Sequence, residues 1–298
     1  MANPGCSLPS RWNMLDAAPA YSTFAGVLGG FLFLGIITLL TNRRDPDSSS
    51  GKADRETDKP EGGTDTLGGR QRADRSRTLM LFLPALLCLL ASSFGFGEAS
   101  GDQLCIRGYI GGMFASSLLA VGALAVFCGI AWMLDAYDES EDEPKYDELR
   151  RTAAIFIYIS YAVIIASLLA GAVDLIDNAF DNKPPGYVDV LLLLYVLLLL
   201  ISAVVTRKWW MPKADGHSMA QRAAVYFPAA YLVIIVLIEA GLNTYGPAEW
   251  RSFDDWKVYL TLSVSMFFPA LTMIAYIRAL PGAQTLTKTT QDASTVDA

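Results

Sequence analysis

Seven apolar stretches, each long enough to cross a bilayer, constrain this chain more than any other feature. They run Tyr21–Thr41, Thr78–Gly97, Tyr109–Leu134, Thr152–Val173, Val188–Val205, Ala223–Asn243 and Val258–Leu280. A helix needs ~20 mostly apolar residues to cross ~30 Å of hydrocarbon, and charge is almost absent from these runs. Inside a bilayer every spanning backbone group must find its partner within the helix. The prediction is therefore an all-α polytopic integral membrane protein, a bundle of seven transmembrane helices over 21–280. A short segment, 1–20, precedes the bundle and a disordered tail, 281–298, follows it. Only Arg11 precedes the first apolar run and Arg43 and Arg44 follow it, so that run reads as an uncleaved anchor and not as a secretory signal.

The distribution of charge predicts the orientation. If the N-terminus lies outside, only Arg11, Arg107, Lys183, Arg251 and Lys257 of the 23 Lys and Arg fall on the outer side, and the other 18 lie on inner connections or the tail. Basic residues collect on the cytoplasmic side of membrane proteins. The split predicts an N-terminus outside and a C-terminus in the cytosol. Trp209 and Trp210 fit an inner interfacial belt, and Trp250 and Trp256 an outer one. The expected location is the plasma membrane, with the lipid bilayer as the first partner. Outer segments without an Asn-x-Ser/Thr sequon are compatible with a bacterial source.

Two inner connections stand out. Residues 42–77 are rich in Asp, Arg, Gly and Ser and poor in apolar residues, which predicts a disordered cytosolic loop. Asp138, Glu139, Glu141, Asp142, Glu143, Asp147 and Glu148 form a compact acidic patch. Its spacing does not match a calcium loop, so a solvated helix extension is the simpler reading. Gly26 with Gly30, and Gly108 with Gly112, form GxxxG pairs that allow close helix packing. Packing within the bundle is the first use for these faces. A homodimer or a membrane-protein partner is the second. The fifth run is Leu-rich all round and is expected to face lipid. Pro84, Pro228 and Pro269 each sit in an apolar-Pro-Ala triplet inside a run, where a proline removes one hydrogen bond and permits a kink.

The candidate chemistry gathers at the predicted outer boundary. Glu98 ends the second run, Asp174 and Asp177 follow the fourth, and Glu239 lies one turn from the end of the sixth. These helices run outward, so the acids sit at helix C-termini, the unfavourable end of the macrodipole for an anion. Burial opposes the charge of Glu239 further, because it lies between Ile238 and Ala240 inside the run. Intramembrane acids mark functional sites. In the simpler reading most of these acids lie in water at the membrane's edge; in the functional one Glu239, Asp174, Glu98 and Asp177 are the candidates for a proton, cation or ligand site, and Arg107, Lys183 and Lys257 are the basic groups at similar depth. Cys6 and Cys105 both sort to the outer side, where an oxidising exterior permits a disulfide between them. Cys88 and Cys128 fall inside runs and read as core residues.

Several function classes lose support. A net charge of −7 speaks against nucleic-acid binding. The only histidine, His217, lies in an inner connection, which removes zinc proteases, multi-His centres and His-dependent hydrolases. No Walker or dinucleotide fingerprint occurs, and no cofactor or catalytic set is expected. Tyr187-Val188-Asp189 and Gly171-Ala172-Val173-Asp174 only approximate the paired motifs of intramembrane aspartyl proteases. The sequence favours a non-enzymatic protein of membrane assembly or envelope sensing. The alternative is a small-solute or ion transporter, coupled to protons or cations, that uses the outer carboxylates.

Overall fold

The computed structural model describes residues 14–41, 65–102, 104–138, 145–180, 190, 192, 193, 195–197, 199, 214–246, 250 and 255–279. Every regular element among them is an α-helix: α1 (Met14–Thr41), α2 (Asp65–Gly101), α3 (Cys105–Asp138), α4 (Lys145–Ala179), α5 (helical positions within 190–199), α6 (Ala214–Leu242) and α7 (Asp255–Ala279). Six of these, all but α5, carry stretches long and apolar enough to cross a membrane. The fifth predicted span lies partly outside the described residues. So do the segment before Met14, residues 42–64, the centre of the acidic patch, Trp209 and Trp210, and the tail.

The helices extend past the apolar runs that announce them. α2 begins at Asp65, so residues 65–77, assigned by composition to the disordered loop, are helical. Arg70, Gln71, Arg72 and Ala73 are good helix formers, and prolonging an existing helix adds one hydrogen bond per residue fixed. α1 likewise starts at Met14, inside the segment expected to precede the bundle, with Asp16 in its first turn where the helix dipole favours an anion. α4 continues to Ala179, which keeps Asp174 and Asp177 on one helix.

α3 is the central helix. It packs against α1, α2, α4, α6 and α7, and 67% of its apolar window is buried against 17% for α1. Close packing of small residues and interhelical hydrogen bonds join the helices of the bundle. The α2–α3 seam shows the packing. A Cβ added to Gly129 would lie 2.1 Å from Phe82 Cε1, and one on Gly122 would lie 2.9 Å from Leu89 Cγ and 3.2 Å from the Ala85 carbonyl. The small-residue faces are used in the same way. Gly26 and Gly29 of α1 meet α2 at Ser93 and Leu86, while Gly108 and Gly112 of α3 receive Leu15 and Met14 of α1; Gly30 alone of the GxxxG residues faces open space.

Polar links supplement the packing. Ser22 and Ser93 donate reciprocally to each other's carbonyls at 2.9 and 3.0 Å. Ser92 donates to the Ala115 carbonyl at 2.8 Å, and Trp132 Nε1 to the Ala279 carbonyl at 3.0 Å. α5 turns Leu192, Tyr195 and Leu199 toward the bundle and leaves Val190, Leu193 and Leu197 exposed, so it is two-faced and not lipid-facing all round. Around the bundle large apolar side chains such as Phe31, Phe94, Leu193 and Leu237 are more than two-thirds exposed. An apolar girdle of this kind is foreign to a water-soluble monomer.

Contacts at the helix ends fix the alternation. Met14 lies against Gly112 and Gly171, Phe180 faces Tyr259, and Arg107 reaches Asn243. The N-termini of α1, α3 and α7 and the C-termini of α2, α4 and α6 thus share one end, the upper end below. The core forms two main clusters. One lies toward this end around Tyr109, Phe114 and Tyr231, and the other toward the opposite end around Phe82, Cys128 and Tyr276.

Candidate functional site

A cavity of about 640 Å³ opens at the upper end between α2, α3 and α6. The last turns of α2 supply Gly95, Gly97, Glu98 and Gly101, α3 supplies Arg107, Ile110, Gly111 and Phe114, and α6 supplies Glu239 and Leu242. The run Gly95-Phe96-Gly97-Glu98-Ala99-Ser100-Gly101 explains the space. A Cβ on Gly97 or Gly101 would meet nothing within 4 Å, so these glycines leave volume that a side chain would fill.

The rim is tied together across the sequence. Asp102 Oδ1 accepts the Leu104 N–H at 3.1 Å and shapes the turn between α2 and α3. Its Oδ2 lies 3.1 Å from Arg107 Nε, and Arg107 Nη2 donates to Asn243 Oδ1 at 2.9 Å. One guanidinium thereby clamps the C-terminal end of α6 to the α2–α3 turn. The end of α6 closes locally through Asn243 N–H to the Glu239 carbonyl and Thr244 N–H to the Gly241 carbonyl.

Glu98 and Glu239 line this same cavity. Glu98 is exposed and Glu239 half-buried, and the Glu98 charge acts on Glu239 as a like charge. Neither carboxylate has an ion pair among the described residues, because Arg107 is engaged by Asp102 and Asn243. Both sit in the last turn of a helix, where the dipole adds further negative potential. The cavity therefore concentrates negative potential against walls of Leu104, Ile110, Phe114, Leu242 and Trp250.

The other two sequence candidates lie elsewhere. Asp174 and Asp177 belong to α4 and do not line the cavity. Asp174 and Asp16 are the charged neighbours of the Tyr109 hydroxyl, with the Asn178 amide beside them. Asn178 also donates to the Asp174 carbonyl at 2.8 Å. The acids thus divide into two groups, served by different faces of α3. Of the two thiols paired by expectation, Cys105 is disulfide-bonded, and Cys6 lies outside the described residues. Cys88 and Cys128 are buried free thiols.

Three features of this end have no motif in the sequence. The Asp102–Arg107–Asn243 clamp joins residues far apart in the chain. Trp250 forms part of the cavity wall. Lys257, buried at the start of α7, lies over the rings of Tyr245, Trp250 and Trp256 at 4.6, 5.2 and 6.0 Å. That cation–π cluster offsets a positive charge placed at the positive end of a helix dipole. The cluster of aromatic residues between 245 and 256 was the available signal. Among the described residues no group of three or more His, Cys, Asp and Glu is placed to hold a metal ion. In comparisons with known proteins the chain matches no family model, no curated protein and no solved structure.

Proposed function

We propose that the chain is a multi-pass protein of the bacterial plasma membrane that takes a small organic cation into its upper cavity from outside the cell, as a solute transporter would. The shared cavity of Glu98 and Glu239 carries this reading: two carboxylates with no ion pair among the described residues, at two helix C-termini, line one space. Such a pair favours a cation over a neutral or anionic solute. The volume lies in the ~300–1,000 Å³ range of small-molecule sites, too roomy for a bare ion, and the aromatic and aliphatic walls suit an alkylammonium. Apolar helices with an apolar outer surface support the membrane setting. The excess of Lys and Arg on the connections opposite the cavity supports an extracytoplasmic opening. The composition of the cavity supports solute binding, which favours the transporter over the envelope-sensing or assembly reading.

Calorimetry of the detergent-purified chain with butylammonium tests the reading. Glu239→Gln keeps the shape and removes the charge, and loss of one buried charge contact costs about 2 kcal/mol or more, over tenfold in Kd. Unchanged affinity in both Glu239→Gln and Glu98→Gln, or no binding by the unaltered chain, would overturn it.

A further inference from the structure

Below the cavity the bundle is closed, but it is not apolar. Phe114 forms the floor and has no exposed surface. One turn deeper on α3, the Ser117 hydroxyl accepts a hydrogen bond from Tyr231 and donates its own to the Phe114 carbonyl at 2.7 Å. Tyr231 stacks on Phe268 of α7 at 5.8 Å. The other ionisable groups facing its hydroxyl are Cys88 of α2, Tyr195 of α5 and, above it on α6, Glu239.

α7 carries a polar line past this level, with Thr261 and Ser265 on the upper side of Phe268 and Thr272 and Tyr276 on its lower side. Thr261, Ser265, Thr272 and Tyr276 share one face and are all buried. Thr261 and Thr272 donate to carbonyls of their own helix at 2.9 Å. The hydroxyls of Ser265 and Tyr276 have no hydrogen-bond partner among the described residues. Pro269 lacks an N–H, which also frees the Ser265 carbonyl, and the next carbonyl, of Met266, is taken by the Tyr195 hydroxyl. The ionisable groups facing Tyr276 are Cys88 and Cys128. A buried hydroxyl without a partner is unfavourable, most of all at bilayer depth, and internal water is the usual remedy.

We infer that these hydroxyls hold a file of water that conducts protons between Glu239 in the cavity and the opposite end of the bundle at Tyr276. Each group takes one proton as it releases another, so only O–H bonds are exchanged. The proton enters from water in the cavity and leaves to water below. The inference rests on the proposed cavity only for its entrance.

Proteoliposomes holding the full chain and an internal pH dye test it, with a potassium gradient and valinomycin setting the potential and carrying the compensating charge. Flux above that of protein-free vesicles is expected for the unaltered chain. Tyr231→Phe and Tyr276→Phe should each bring it down to the protein-free level. Tyr276→Phe removes a hydroxyl without a partner, so folding is expected to hold. If that hydroxyl only packs, the variant conducts like the parent, and the path is wrong. No flux by the unaltered chain overturns the path as well. Butylammonium binding measured on the same preparation separates the two readings: binding without flux removes the path alone, and flux without binding removes the cavity ligand alone.

Discussion

At the scale of single residues the site turns on which charges are already satisfied. Arg107 gives one nitrogen to Asp102 and another to Asn243, a fork that a lysine cannot reproduce. Arg107→Lys is expected to loosen the α6 end and weaken cation binding several-fold. It should change stability by less than ~1 kcal/mol, because this rim pair is partly exposed; titration and thermal melts separate the two effects. Cys105 is disulfide-bonded, and Cys6 is the proposed partner. Peptide mass spectrometry after alkylation without reductant should find Cys88 and Cys128 alkylated after unfolding and Cys6 joined to Cys105. A Cys6 peptide carrying the alkyl group would exclude that pairing. The four carboxylates were legible in the sequence as a set at one depth. Their division was not, because a residue's place in an apolar run gives its depth but not which neighbouring helix it will face. Glu98 and Glu239 meet across α3 from Asp174 for that reason alone.

At the scale of elements, apolar runs locate helices well and their ends poorly. A run reports the thickness of hydrocarbon, whereas a helix stops where capping or a turn stops it. Residues 65–77 show the difference, since nothing in their polar composition prevents helix formation once α2 exists. The role of α3 as the hub was half legible. Its glycines announced close packing, but the partner of each glycine depends on the azimuth of α1, α2 and α4. The sharpest consequence is at Gly129, where an added methyl would overlap the Phe82 ring, itself buried. Gly129→Ala should destabilise the bundle by about 1–3 kcal/mol, read as a lower melting temperature in detergent. Gly30→Ala on α1, where the space is open, should be close to neutral.

At the scale of the whole molecule the alternation of helix ends brings three carboxylate-bearing C-termini, those of α2, α4 and α6, to one end. Two of them build the cavity and the third stands apart on α4. Charge on the connections then sets which side that end faces. Single-cysteine labelling of intact cells should reach a probe within 177–183 and miss one within 54–65; the reverse would invert the topology and put the cavity in the cytosol. The central claim is narrower: Glu98 and Glu239 act on one bound cation. A double-mutant cycle measures that directly. Butylammonium affinity is determined by calorimetry for the unaltered chain, Glu98→Gln, Glu239→Gln and the double variant. If both carboxylates touch the same ligand, their losses are coupled by about 0.5–3 kcal/mol. Losses that add independently, or a double variant that binds like the parent, would contradict the claim of a shared site.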